Sequence, residues 1–182
     1  MKKSTPFVTC LIILGIIVVL GPILILPVFV LLYLFIATPV EIRGNAMAPQ
    51  FPNGAFYFVN KTVYKSSEPK RTDVIVFKSP PRPEIEYVKR VIAIPGETVE
   101  VRNEHVFING VPIDEPYLAP GTFTLSWKLF ENSEKVTVPE NSYFVLGDDR
   151  THSSDSREWG FVPRENIIGK LWFCYWNCSK PQ

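Results

Sequence analysis

The sequence predicts a mainly β protein: one antiparallel β domain behind one N-terminal transmembrane helix. Three observations lead there. From Phe7 to Thr38 no residue is charged, whereas the remainder of the chain is mixed and polar. After Thr38 the apolar pattern switches to a period of two, the spacing of a half-buried strand. No later stretch offers a capped amphipathic helix of three turns. The expected organisation is a cytoplasmic tail at 1–6, a transmembrane helix at 7–37 and an exported β domain at 38–182, with an insertion-like region at 114–137.

A bilayer core takes roughly 20 apolar residues in a helix, and the uncharged run exceeds that. Gly15, Gly21, Pro22 and Pro27 interrupt it, so a kinked helix is expected. A cleaved secretory leader would end on small residues; Ala37 is small, but Phe35 is bulky. A hairpin turning at Gly21-Pro22 would leave arms of about 14 residues, short of the roughly 17 a span needs. One span follows. Lys2 and Lys3 precede it, while Glu41 and Arg43 behind it cancel, which keeps the N-terminus cytoplasmic and the C-terminal domain on the extracytoplasmic side.

The strands follow in order. Val40 and Ile42 alternate with Glu41 and Arg43. Phe56-Tyr57-Phe58-Val59 comes after an Asn53-Gly54 turn signal, then Val74-Ile75-Val76-Phe77 and the run Tyr87 to Ile94. Val106-Phe107-Ile108 and Val111-Pro112-Ile113 flank Asn109-Gly110, a two-residue hairpin signal. Tyr143 to Leu146 and Ile167 to Trp172 complete the set. Of 17 prolines, several stand at strand ends (Pro80, Pro95, Pro139, Pro163), which suits a sheet with long excursions. The 114–137 region holds Pro116, Pro120 and Gly121 followed by Thr122 to Phe130, and no chemistry is assigned to it.

Charge excludes one class of partner. Without Lys2 and Lys3, 17 of the 19 basic residues face 18 acidic ones, so the domain has no electrostatic footprint for nucleic acid. Cys174 and Cys178 are expected as two packed thiols; a straight strand would hold them too far apart to bridge, although a turn at Asn177 would bring them together. Asp148, Asp149 and Asp155 lack the spacing of a calcium loop, and two cysteines without companion ligands do not make a zinc site. No metal or cofactor is expected.

The densest cluster of polar chemistry is Gly147 to Gly160, GDDRTHSSDSREWG, followed by Trp159-Gly160-Phe161-Val162 and Ile168-Gly169-Lys170. Upstream lie Lys89-Arg90-Val91-Ile92 and Pro95-Gly96. In this order the blocks resemble the bacterial-type signal peptidase I family, the membrane-bound serine/lysine endopeptidases, over about residues 37 to 172. The resemblance implies a serine nucleophile in a Gly-x-Ser-Met-x-Pro block. This chain reads Gly44-Asn45-Ala46-Met47-Ala48-Pro49, with Ala46 at the nucleophile position.

Peptide hydrolysis through an acyl-enzyme needs a nucleophile, a base to activate it and donors for the oxyanion. His105 and His152 have no convincing triad setting. A lysine can act as base when burial drives its amine towards neutrality. Lys89 stands between Tyr87-Val88 and Val91-Ile92, a plausible desolvating strand, with a solvent-facing lysine paired to Glu86 or Glu100 as the bland alternative. The resemblance makes Lys89 the general base and Ser153 the hydroxyl that orients its amine; by itself Ser153 reads equally as a turn serine. It also makes Asp155 and Arg157 a structural pair bracing that loop. Val40, Ile42, Met47, Phe51, Tyr87 and Val88 fall where the family lines its cleft, or else they are core. Shallow apolar pockets there would accept an Ala-x-Ala-like segment of the signal peptides of exported precursor proteins, laid extended against a strand edge.

A methyl group cannot attack a carbonyl. No serine, threonine or cysteine lies between Thr38 and Thr62 to replace it, so a substitute would have to come from elsewhere, such as Ser154 or Ser156. Two functions follow. The first is a serine-type endopeptidase scaffold that recognises signal peptides at the membrane surface with cleavage lost or impaired, its partners being signal peptides, the lipid bilayer and an active paralogue. The alternative is a non-enzymatic, membrane-anchored β module with a structural or regulatory role.

Overall fold

The computed structural model describes residues 6–130 and 135–178. Two compact units divide the chain, Met1–Ala37 and Thr38–Gln182. The first is helix α1 (Pro6–Phe35), continuous through Pro22 and Pro27, so the chain does not turn back at Gly21-Pro22. Its stretch Ile13–Leu31 has a mean hydropathy of 3.0, long and apolar enough to cross a bilayer. None of the described side chains in this stretch is buried.

The second unit is built from two antiparallel sheets. The larger contains β1 (Ala37–Glu41), β2 (Phe56–Asn60), β3 (Val74–Ser79), β4 (Arg82–Ala93), β9 (Ser142–Leu146), β10 (Val162–Pro163) and β11 (Ile167–Trp176), in the order β1-β2-β11-β3-β4-β9-β10. The smaller contains β5 (Thr98–Arg102), β6 (His105–Ile108), β7 (Val111–Pro112) and β8 (Lys135–Thr137), in the order β7-β6-β5-β8. Between β6 and β7, Asn109 and Gly110 take φ of 53° and 80°, the paired positive angles of the tight turn their sequence calls for. Among the described residues of the domain, one short α-helix, α2 (Ser156–Trp159), interrupts the strands.

Period-two patterning accounts for most strands, and β3 shows why one of them reads as an unbroken apolar run. Val74 and Val76 pack with Ile42, Met47, Tyr57 and Leu171 on one side of the sheet. Ile75 and Phe77 pack with Val91, Tyr143, Val145 and Val162 on the other. A third cluster joins the small sheet (Val99, Val106, Ile108) to Ile92, Phe144 and Leu146. The strand carrying Lys89 is therefore clamped between packed neighbours along its C-terminal half.

Three expectations need correction. Strand β11 runs on to Trp176 rather than stopping at Trp172, because β2 continues to pair with it as far as Phe56 opposite Trp176. The end of the 114–137 region is not merely excursion: Lys135–Thr137 forms β8 and pairs with β5. Cys174 and Cys178 are not two thiols but a disulfide, with Cα atoms 5.8 Å apart. Asn177, at φ 51°, supplies the left-handed turn that brings them together. Next to this staple, Trp172, Phe173, Tyr175 and Trp176 all stand exposed, with Phe58 4.7 Å from Tyr175 and Phe56 6.0 Å from it, ring centre to ring centre.

Candidate active site

Two chain segments, Pro39–Gly44 from β1 onwards and Glu84–Lys89 of β4, border a cavity of about 650 Å3. Ala46, Met47 and Ser154 complete its lining. Both segments offer unused backbone: β1 is the edge strand of the large sheet, and β4 pairs with β9 only over Arg90 to Ala93. An extended peptide could thus hydrogen-bond to the cavity walls as a further strand.

Lys89 sits opposite Ile75 in the β3–β4 ladder and is only 5% exposed. Its amine makes no hydrogen bond or ion pair among the described residues; Nζ lies 5.2 Å from the centre of the Tyr87 ring. The exposed-lysine alternative therefore fails: Glu100 pairs with Arg102 instead. Burial pushes the amine down to about 8, against the opposing pull of the Asp155 and Asp148 charges and with help from Arg157. A group so placed is half neutral near its own working range, as a general base requires.

The depressed value has a consequence for stability. Between about 8 and 10.5 the unfolded chain holds a proton that the folded chain has lost, so this residue makes stability rise with pH across that window. Below it, the folded state bears the full cost of a buried ammonium. Lys89→Met is expected to raise stability at pH 7 by roughly 2–3 kcal/mol, with the gain gone by about pH 10.5. Thermal unfolding of both chains at the two pH values measures this; no gain at pH 7 would mean that the amine is well solvated.

Ala46 lies in a tight turn after β1, held at several backbone points. The Gly44 N–H donates to Asn53 Oδ1 at 2.9 Å, the Ala48 N–H to the Asn45 carbonyl at 2.8 Å and the Phe51 N–H to the Met47 carbonyl at 2.9 Å. The Asp149 N–H donates to the Ala46 carbonyl at 3.1 Å, tying this turn to the loop that follows β9. Gly147 makes the join possible: a Cβ there would fall 2.5 Å from the Ala46 carbonyl oxygen and 2.2 Å from Ser153 Oγ. Only glycine can occupy that position.

Ser153 Oγ is buried and has no hydrogen-bond partner among the described residues, so the expected bond from Ser153 to Lys89 is not made in this structure. The hydroxyl is packed against the bare Cα of Gly147 instead. The loop itself is rigidly held. Asp155 and Arg157 form two buried hydrogen bonds of 2.8 Å each, and Asp155 also accepts from the N–H groups of Gly147 and Arg157. Arg90 grips Asp148 in a bidentate pair through Nε and Nη2 at 2.8 and 2.5 Å, and its guanidinium lies 4.0 Å over the Tyr117 ring. Burial pushes the Asp148 carboxyl above its ordinary value even so, with Arg90 pulling the other way.

Val40, Ile42, Met47, Tyr87 and Val88 line the cavity; Phe51 does not. Phe51 turns away into the core, 5.4 Å from the Tyr57 ring. Of the two substitute nucleophiles, Ser156 is fully buried and its Oγ accepts from the Val145 N–H, which takes it out of reach of a substrate. Ser154 does border the cavity, with its hydroxyl donating to Glu158 at 2.7 Å.

Sequence patterning assigned nothing to the 114–137 region, yet it braces the site. Glu115 pairs with the buried Arg150, which also donates to Thr124 Oγ1 and to the Gly147 carbonyl. No local signal marked it: Thr124 and Ser126 stand on the same phase of the Phe123 to Trp127 alternation, yet only Thr124 is buried. Glu84, Glu86 and Ser154 were likewise not singled out as cavity lining.

Known proteins resemble this chain in sequence and in fold. The family described as signal peptidase, peptidase S26 matches residues 12–176. Signal peptidase I of Bacillus caldolyticus is 39% identical over 152 residues, covering 80% of this chain and 82% of its own length. Signal peptidase IB of Staphylococcus aureus (strain COL) is 36% identical over 157 residues, covering 80% and 81%. The crystal structure of a signal peptidase I from Enterococcus faecalis V583 superposes with a TM-score of 0.50 at 40% identity, covering 58% of this chain and 98% of that one.

Proposed function

This chain belongs to the signal peptidase, peptidase S26 family, and from that membership we propose that it binds the signal peptides of exported precursors at a membrane surface and holds them uncut. One observation carries the proposal: a peptide-sized cavity with two unpaired strand edges ends on the methyl group of Ala46, in the same lining as the buried amine of Lys89.

The chemistry divides at that methyl group. A signal peptide laid between the 39–44 and 84–88 segments gains backbone hydrogen bonds from both, while Val40, Ile42, Met47, Tyr87 and Val88 offer shallow apolar pockets for small side chains. The backbone N–H of residue 46 remains available to a substrate carbonyl oxygen. Lys89 can accept a proton once neutral, but residue 46 has no hydroxyl to supply one. No bond to the scissile carbon forms, and the peptide leaves as it came. Asp155 and Arg157 retain a structural role around that centre.

The apolar helix α1 anchors the chain in a membrane, with the β domain on the extracytoplasmic side as the charge bias of Lys2 and Lys3 favours. The exposed rings of Trp172, Phe173, Tyr175 and Trp176 give the domain its own means of meeting lipid headgroups, where amphipathic aromatic side chains are stable. All four tryptophans lie beyond residue 38, so their fluorescence reports on the domain alone. Brominated lipids are expected to quench it in the full-length protein, and Trp172→Phe with Trp176→Phe is expected to remove most of the effect. Unchanged quenching in that variant would reject the aromatic face as the lipid contact.

A signal peptide carrying a photoreactive residue next to its Ala-x-Ala segment tests the central claim. Crosslinking to β1 and β4 supports it. No crosslink at any site would leave a membrane-anchored β module without peptide recognition. A chain that holds precursors uncut would also compete with an active paralogue in the same membrane, which is the partner relation this function implies.

A further inference from the structure

We infer that the chain has a second polypeptide subsite, on the far side of Ser154, which takes the first residues of the precursor that follow the signal peptide. This rests on the proposal that the main cavity holds the signal peptide, and it adds where the remainder of the same chain goes.

A cavity of about 190 Å3 opens beside the main one, lined among others by Trp127, His152, Ser154, Arg157 and Glu158. Ser154 belongs to the lining of both cavities. A peptide that passes Ala46 and Lys89 and continues over Ser154 therefore enters this second space without leaving the surface of the domain.

The walls are fixed in place. Thr124 is anchored by Arg150, and the Leu125 carbonyl accepts from Arg157 Nη1 at 3.4 Å. The Phe130 N–H closes a turn on the Trp127 carbonyl at 2.8 Å. On this anchored backbone Trp127 is 52% exposed, a large ring held up to solvent with a cavity at its foot. Such rings are the side chains that most often carry binding energy at peptide and protein contacts.

The charge pattern selects the ligand. Arg157 is neutralised by Asp155 in the floor. Glu158 accepts from Ser154 and faces Lys128 at 3.5 Å. With its ions already paired, the cavity offers an aromatic wall and a hydroxyl rim to an extended segment whose side chain is apolar. Its occupant is a polypeptide continuing from the main cleft, not a free anion or a metal.

Two fluorescent peptides test this on the full-length protein in lipid nanodiscs. One ends at the last alanine of its Ala-x-Ala segment; the other continues for six residues, with leucine at the second. The longer peptide is expected to bind about tenfold tighter, and Trp127→Ala is expected to remove that gain while leaving the affinity of the shorter peptide unchanged. Equal affinities for the two peptides, or a gain that survives Trp127→Ala, would overturn the inference. Loss of the gain in Phe123→Ala but not in Trp127→Ala would also overturn it, since Phe123 borders a different cavity alongside Ala48 and Pro49. Binding of neither peptide would instead defeat the assignment of the main cleft, and this inference with it.

Discussion

Ala46→Ser is expected to raise precursor cleavage by orders of magnitude. The turn holding residue 46 is fixed by backbone hydrogen bonds, so a serine there needs no rearrangement of the main chain. Its hydroxyl would enter the cavity that Lys89 also lines, and burial keeps that amine near 8, where a useful fraction is neutral. In subtilisin, losing the nucleophile costs about a million-fold in turnover, and a gain on that order is the scale to expect here. The rate should rise with pH through about 8 as the amine gives up its proton. Lys89→Met in the serine background should abolish it. The measurement is cleavage of a precursor bearing an Ala-x-Ala segment by the chain and by both variants. Cleavage by the chain with Ala46, lost on Ser154→Ala, would show that Ser154 is the nucleophile and that residue 46 was wrongly assigned.

Asp155→Ala is expected to destabilise the β domain by about 3–5 kcal/mol, because it strands the buried guanidinium of Arg157. The same change removes the acceptor for the Gly147 N–H and the N-cap of α2. Arg157→Met with Asp155→Ala should recover part of the loss, since the remaining charge goes as well. Thermal or denaturant unfolding of the detergent-solubilised protein gives the comparison. A loss under about 1 kcal/mol for the single variant would mean that water reaches this pair.

Most of the β architecture was legible because alternation is a local property: Val40 and Ile42 announce β1, and Asn109-Gly110 announces the β6–β7 turn. The lysine block and the Gly147–Gly160 block were legible through resemblance. What could not be read were outcomes that depend on distant partners. Arg150 meets Glu115 and Thr124 across 35 and 26 residues, and nothing local in the excursion shows that an arginine is waiting. Phe51 looks like cleft lining in sequence, but Tyr57 gives it a better place in the core. The cysteine pairing turned on the left-handed conformation of Asn177. The aromatic face of β11 escaped for another reason: register shifts around Cys174 let neighbouring rings emerge together, against the simple alternation that strand patterning assumes.

The bond from the Asp149 N–H to the Ala46 carbonyl involves main-chain atoms alone, so it is indifferent to whether residue 46 carries hydrogen or oxygen on its Cβ. Alanine and serine codons differ by one base. A single base change therefore exchanges methyl for hydroxyl at the cavity wall while the main-chain tie to the following loop stays as it is.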